Sequence, residues 1–126
     1  MLPKLPPISE AKFQERTIQL ARACGFLVYH TADSRRSESG FPDIVLISPP
    51  CKSGNRKGKR IVAFIELKTE IGKLTEGHYD KRNRYRPGQK DWLEALHDAD
   101  WVMTRIWRPS DSEEIEDFLT RKGNGS

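Results

Sequence analysis

Residues 60–68 read RIVAFIELK. Ile61, Val62, Ala63, Phe64 and Ile65 are five apolar residues in a row, mostly β-branched or aromatic, which is the composition of a strand. An unbroken apolar run, rather than an alternating one, marks a central strand covered on both faces. The run ends in Glu66-Leu67-Lys68. Side chains two apart on a strand share a face, so Glu66 and Lys68 project together and Leu67 projects to the other side. A carboxylate and an ammonium closing a buried strand are costly unless paired or engaged with a metal. Taken alone, the plainer reading is a strand end with both charges in water.

Upstream, Phe41-Pro42-Asp43 leads into a second apolar run, Ile44–Ile47. Between this run and residue 60 lies a loop from Ser48 to Lys59 with Pro49, Pro50, Gly54 and Gly58, which predicts no regular structure. Phe26–Thr31 is a third strand, and the polar stretch Ala32–Gly40 follows it. Ser9 followed by Glu10 and Ala11 predicts an N-cap, and Phe13, Thr17, Leu20, Ala21 and Cys24 then recur at helical spacing up to Gly25, placed as a C′ glycine. Residues 1–8, with three prolines, predict an extended lead-in.

Downstream, Thr69–Pro87 is polar and basic. Gly88–Ala99 returns to helical spacing through Trp92, Leu93 and Leu96, and Trp101–Trp107 reads as a strand closed by Pro109. Ser110 to Glu113 has capping-box spacing, so a last helix is expected to about Leu119, with residues 122–126 a frayed tail. The order αβββαβα predicts an α/β fold, a small mixed sheet between helices, in one domain over residues 9–121.

Asp43 changes the weight of Glu66-Leu67-Lys68. If the second and third strands are neighbours, Asp43 and Glu66 converge on one cation. Hard ions such as Mg²⁺ take oxygen ligands, keep several waters and use one or two carboxylates. A metal so held lowers the pKa of a bound water and stabilises charge developing on a phosphate, and Lys68 stands where it can orient or deprotonate that water.

The bulk composition is compatible with this chemistry. The chain has 126 residues, 36% hydrophobic and 32% charged, with net charge +4, and a pI near 9.2. That balance favours an anionic partner without naming it. Cys24 reads as a small core residue and Cys51 as an exposed loop residue, and two cysteines make no disulfide framework. No apolar h-region or membrane span is read, so a cytoplasmic setting is expected. Cys24, Cys51, His30, His78 and His97 lack tetrahedral zinc spacing. No phosphate-cradling glycine loop and no Ser/His/Asp or Cys/His arrangement is present, so nothing supports a nucleotide cofactor or covalent catalysis.

Pro42-Asp43, a gap of 22 residues, and Glu66-Leu67-Lys68 resemble the signature of the PD-(D/E)XK nucleases. The surrounding residues are more similar still to the virus-type replication–repair nuclease (VRR-NUC) branch. The matching pieces are Ser9-Glu10 opening a helix, Gly25-Phe26 with Val28 and His30, Gly40-Phe41-Pro42-Asp43, Glu66-Leu67-Lys68-Thr69, and Gln89 before Trp92-Leu93. The resemblance spans roughly residues 9–119. It implies a restriction-endonuclease-like fold, Mg²⁺ or Mn²⁺, phosphodiester hydrolysis and a preference for branched DNA such as four-way junctions, in a bacterial or phage-infected cell. Some stand-alone members of this size act as homodimers, and Trp92, Trp101 and Trp107 can supply an interface, although core packing is the expected use for at least two of them. Gln89 would touch the water, a metal ligand or phosphate.

The resemblance implies a further acidic residue on the first helix, where Glu10 and Glu15 compete. At about 100° per residue, with Glu10 at zero, the apolar stripe falls between about 280° and 20° and Glu15 near 140°. Glu10 therefore borders the inward face and is the expected metal ligand. The chain departs from the family in one place. Members pass quickly from the Glu-x-Lys strand to the glutamine helix, whereas here Thr69–Gly88, 20 residues, intervene.

Two basic clusters flank the site in sequence: Lys52, Arg56, Lys57 and Lys59 with Arg60, and Lys73, Lys81, Arg82, Arg84 and Arg86 in the inserted segment. Arg35 and Arg36 lie just before Asp43. These are the expected DNA contacts, with affinity that falls steeply with salt, and Tyr79 and Tyr85 are placed to stack on an unpaired base. The competing expectation is a nucleic-acid-binding module that uses the same loops without catalysis.

Overall fold

A computed structural model describes residues 8–31 and 40–123. Residues 1–7 of the expected 1–8 lead-in, residues 32–39 of the Ala32–Gly40 stretch with Arg35 and Arg36, and residues 124–126 of the tail lie outside the described residues. Strands β1 (Leu27–His30), β2 (Ile44–Ile47), β3 (Val62–Leu67) and β6 (Val102–Trp107) form one sheet. Its order is β1-β2-β3-β6, so the apolar run that predicted a central strand is an inner strand. β1–β2 and β2–β3 are antiparallel, whereas β3 and β6 are parallel. A parallel neighbour needs a crossover, and helix α2 (Gln89–Asp98) lies within it. The fold is the expected mixed α/β sandwich.

One face of the sheet carries Ile44, Leu46, Ala63, Ile65 and Leu67, all fully or almost fully buried. Phe13, Ile18 and Ala21 of α1 (Glu10–Ala23) and Ile115 and Leu119 of α3 (Ser112–Gly123) cover it, with Phe26 and Trp107. Burying a large aliphatic side chain contributes about 1.5–3 kcal/mol, so this layer carries most of the stability. The other face, with Phe64 and Glu66, meets α2. Phe41 bridges them, its ring 6.0 Å from Phe64 and 5.2 Å from Trp92, edge-on to both.

The helix ends follow local chemistry. Ser9 Oγ accepts from Lys12 N at 3.1 Å, and Gly25, at φ +87°, turns the chain out of α1 into β1. The last helix departs from expectation at both ends. It begins at Ser112 after a 3-10 turn, Pro109–Asp111, and runs to Gly123, past Leu119 and through Lys122. Ser110 does not cap it, because its backbone N and hydroxyl are both held by the Glu70 carboxylate.

The inserted segment is also more ordered than its polarity suggests. β4 (His78–Tyr79) and β5 (Tyr85–Arg86) pair antiparallel as a separate hairpin. The 48–59 loop holds a 3-10 turn, Gly54–Arg56. Cys51, read as exposed, is half-buried, with its thiol donating to Ser53 O at 3.1 Å.

Candidate active site

The register between β2 and β3 decides where the carboxylates go. Ile44 pairs with Ile65. One step further along an antiparallel ladder sets Asp43 opposite Glu66, and cross-strand neighbours on one face have Cβ atoms about 4.5–5.5 Å apart. Asp43 Oδ2 accepts from the backbone N of Leu67 at 2.8 Å, which fixes its carboxylate beside the end of β3. Two residues with 22 others between them in the chain thus share one corner of the sheet.

Glu66 is fully buried. Oε1 accepts from Gln89 Nε2 at 2.6 Å, while Oε2 has no donor. Burial foremost, and then the neighbouring Asp43 charge, push the Glu66 carboxyl up to about 9. Lys68 offsets part of this, and the charge of Glu10 adds to it. As two ionised carboxylates the pair share no donor. A proton or a cation between them supplies what is missing.

Gln89, the first residue of α2, is aimed by a residue that inspection of the sequence passed over. Thr75 N donates to Gln89 Oε1 at 3.0 Å, and Gln89 N donates to Thr75 Oγ1 at 3.0 Å. Lys90 N donates to Thr75 O at 3.1 Å. With its oxygen claimed, the amide can present only its NH₂ to Glu66. No motif flags Thr75, because a threonine in a polar loop has no distinctive spacing.

Glycine lets these loops meet. Gly40 has φ +86°, and a Cβ there would lie 2.7 Å from the Gly88 carbonyl carbon. The 40–43 loop therefore rests directly on the start of α2, which brings Asp43 to the side of β3 that Gln89 occupies.

Of the other expected site residues, Lys68 follows β3 directly, half-buried, its N donating to Trp107 O at 3.0 Å. Glu10 is exposed in the first turn of α1, while Glu15 pairs with Lys12 at 3.7 Å in solvent. Among the described residues no three His, Cys, Asp or Glu side chains cluster as a metal site, so Glu10 does not join the Asp43–Glu66 pair in these positions. His30 ends β1 opposite Ile44, on the face away from Glu66.

The basic clusters separate. Lys73, Lys81, Arg82, Arg84 and Arg86 are exposed on the insert that leads into Gln89. Lys52, Arg56, Lys57 and Lys59 sit in the connection at the other end of β2 and β3, about 17 Å from Asp43 at ~3.4 Å per residue. An antiparallel pair puts its connecting loop at the end away from Asp43 and Glu66.

The family model of the VRR-NUC domain matches residues 7–104, most of the chain. The chain belongs to the VRR-NUC domain family. No curated protein and no solved structure matches it. The VRR-NUC domain is a nuclease domain, so membership carries nuclease function at the level of the family, and nuclease superfamilies of this kind use divalent metals. The residues present fit such an ion: a buried carboxylate oxygen lacks a partner, a second carboxylate faces it, and the like charges raise the cost of leaving the gap unfilled. Among the described residues no helix of this VRR-NUC domain is long and apolar enough to cross a membrane.

Proposed function

We propose that this VRR-NUC domain is a metal-dependent DNA endonuclease that hydrolyses phosphodiester bonds, with a preference for branched or junction DNA. The observation that carries the reading is the buried Glu66 carboxylate, half held by Gln89 and half unpartnered beside Asp43. Asp43 and Glu66 would hold Mg²⁺ or Mn²⁺, with Glu10 completing the site through water. When bound, the ion supplies Lewis acidity at a phosphate oxygen and a lowered pKa at its water.

The side chains divide the remaining tasks. Asp43, tied to Leu67 N, keeps one carboxylate oxygen in place for the ion. Gln89 orients Glu66 and is itself locked by Thr75. Lys68 orients the attacking water and offsets charge on the phosphate as the water oxygen bonds to phosphorus and the bond to the departing sugar oxygen breaks. Lys73, Lys81 and Arg82 grip the backbone near the cut, and Arg84 and Arg86, paired with Asp80, add positive charge beside them. Lys52, Arg56, Lys57 and Lys59 contact phosphates further along the duplex, and Arg35 and Arg36 add phosphate contacts.

Symmetric cutting of a four-way junction needs two copies, and a homodimer is part of the proposal. Of the three tryptophans, Trp107 is fully buried and Trp92 packs on Phe41, whereas Trp101 is 86% exposed and free to meet a second chain.

A cleavage panel of linear duplex, single strand, flap, splayed arm and four-way junction, with Mg²⁺, Mn²⁺ or EDTA, tests the reading. Branched substrates should be cut in either metal and in neither case with EDTA. Asp43→Ala should abolish cutting while retaining most binding. Cutting that survives EDTA or Asp43→Ala would overturn it.

A further inference from the structure

The β4–β5 hairpin is built with more care than a solvated loop requires. A two-stranded hairpin is marginal in water by itself. Here the Asp80 carboxylate accepts from Arg82 N and Arg84 N, each at 2.9 Å, and from Arg86 Nε at 2.9 Å. These bonds, the Arg84 N–H foremost, hold Asp80 below the usual carboxylate range. Asn83 takes the left-handed conformation at φ 60°, which closes the turn. At the base, Tyr85 donates to Asp91 Oδ2 at 2.8 Å, and Lys90 pairs with Glu76 at 2.9 Å. The hairpin is thereby fastened to the first turn of α2, beside Gln89.

These contacts divide its side chains into two sets. Arg84, Arg86 and Tyr85 are occupied by Asp80 and Asp91. Lys81 and Arg82 are exposed at the tip, and Tyr79 is 68% exposed. The Tyr79 ring packs against the pinned Tyr85, centroids 5.2 Å apart with the planes 60° apart, and most of its surface stays open to solvent. A fixed aromatic with few rotatable bonds loses little freedom on contact. Bases offer their π-faces only where they are unpaired, because in intact duplex each face is covered by its neighbour.

We propose that this hairpin reads an unpaired base next to the cut, with Tyr79 as the stacking platform and Lys81 and Arg82 as phosphate contacts. The position of the cut rests on the nuclease reading above, whereas the stacking does not. The hairpin thus determines substrate structure, and the Asp43–Glu66 corner performs the chemistry.

The test is binding in EDTA, where no cleavage occurs, to a splayed arm and to a linear duplex, with 2-aminopurine in the unpaired arm at the branch. The wild type should prefer the splayed arm and quench the 2-aminopurine. Tyr79→Ala should lose about 5- to 150-fold on the splayed arm, the range expected for one stacked base. It should change less than about twofold on the duplex, and Tyr79→Trp should restore both preference and quenching. Removing Lys81 and Arg82 should weaken both substrates and lower the salt slope by roughly 1.4–1.8. Equal losses on both substrates with Tyr79→Ala, or no quenching by the wild type, would overturn the proposal. Metal-dependent cleavage by the wild type is scored separately. Its absence would sink the nuclease reading and leave the stacking result standing.

Discussion

Replacing Glu66 by Gln should make the metal-free protein more stable, and increasingly so as the pH rises. Glu66 titrates near 4.5 in an unfolded chain and is pushed up to about 9 in the fold, chiefly by burial and then by Asp43. The folded state therefore holds its proton more tightly. Stability is full below about pH 4.5 and declines as pH rises towards about 9, by about 1.4 kcal/mol per unit. Between pH 5.5 and 8.5 the loss relative to Glu66→Gln amounts to about 4 kcal/mol. The substituted amide also supplies a donor where Oε2 has none, facing Asp43. Urea unfolding in EDTA, followed by tryptophan fluorescence, measures the difference at each pH, and titrating groups remote from Glu66 cancel in it. Millimolar Mg²⁺ should then raise the wild-type curve at high pH and leave the variant unmoved. Parallel stability curves for the two proteins in EDTA would refute the reasoning.

Gly40→Ala should destabilise by at least about 1–3 kcal/mol, since a left-handed backbone and a Cβ 2.7 Å from Gly88 are both penalised; thermal melting checks this, and a neutral effect would show that the two loops are not in contact. Trp101→Gly should act in the opposite direction, raising stability by about 0.5–1 kcal/mol, because Trp101 holds φ +72° while 86% exposed. A drop in melting temperature would show that the indole packs on something. Thr75→Val removes the hydroxyl that accepts from Gln89 N but keeps the backbone N–H on Gln89 Oε1. Its turnover should fall less than that of Gln89→Ala, in single-turnover assays.

The Asp43–Glu66 corner was legible because its signals are local and additive. The run Ile61–Ile65 marked an inner strand, Pro42-Asp43 marked the entry to its neighbour, and antiparallel pairing did the rest. The geometry of α1 favoured Glu10 over Glu15, yet both are exposed, and Glu10 reaches Glu66 only through its charge. Three features were not legible. Thr75 acts through two backbone bonds and one hydroxyl, which leave no pattern. The strands at Tyr79 and Tyr85 are two residues long and are stabilised by a carboxylate and a helix end rather than by alternation. The distance of Lys52–Lys59 from the site depends on which end of a strand pair a loop joins, a property of topology rather than of composition.

The closure at the base of the insert has an evolutionary reading. Glu76 and Gly88 approach so closely that a Cβ on the glycine would strike the Glu76 backbone, and Lys90 N reaches back to Thr75 O. A segment whose two ends already touch can be lengthened, shortened or exchanged without moving what lies on either side of it. The insert can therefore change in length or sequence while the Asp43–Glu66 corner is left alone, as a tool keeps its handle when the bit is changed.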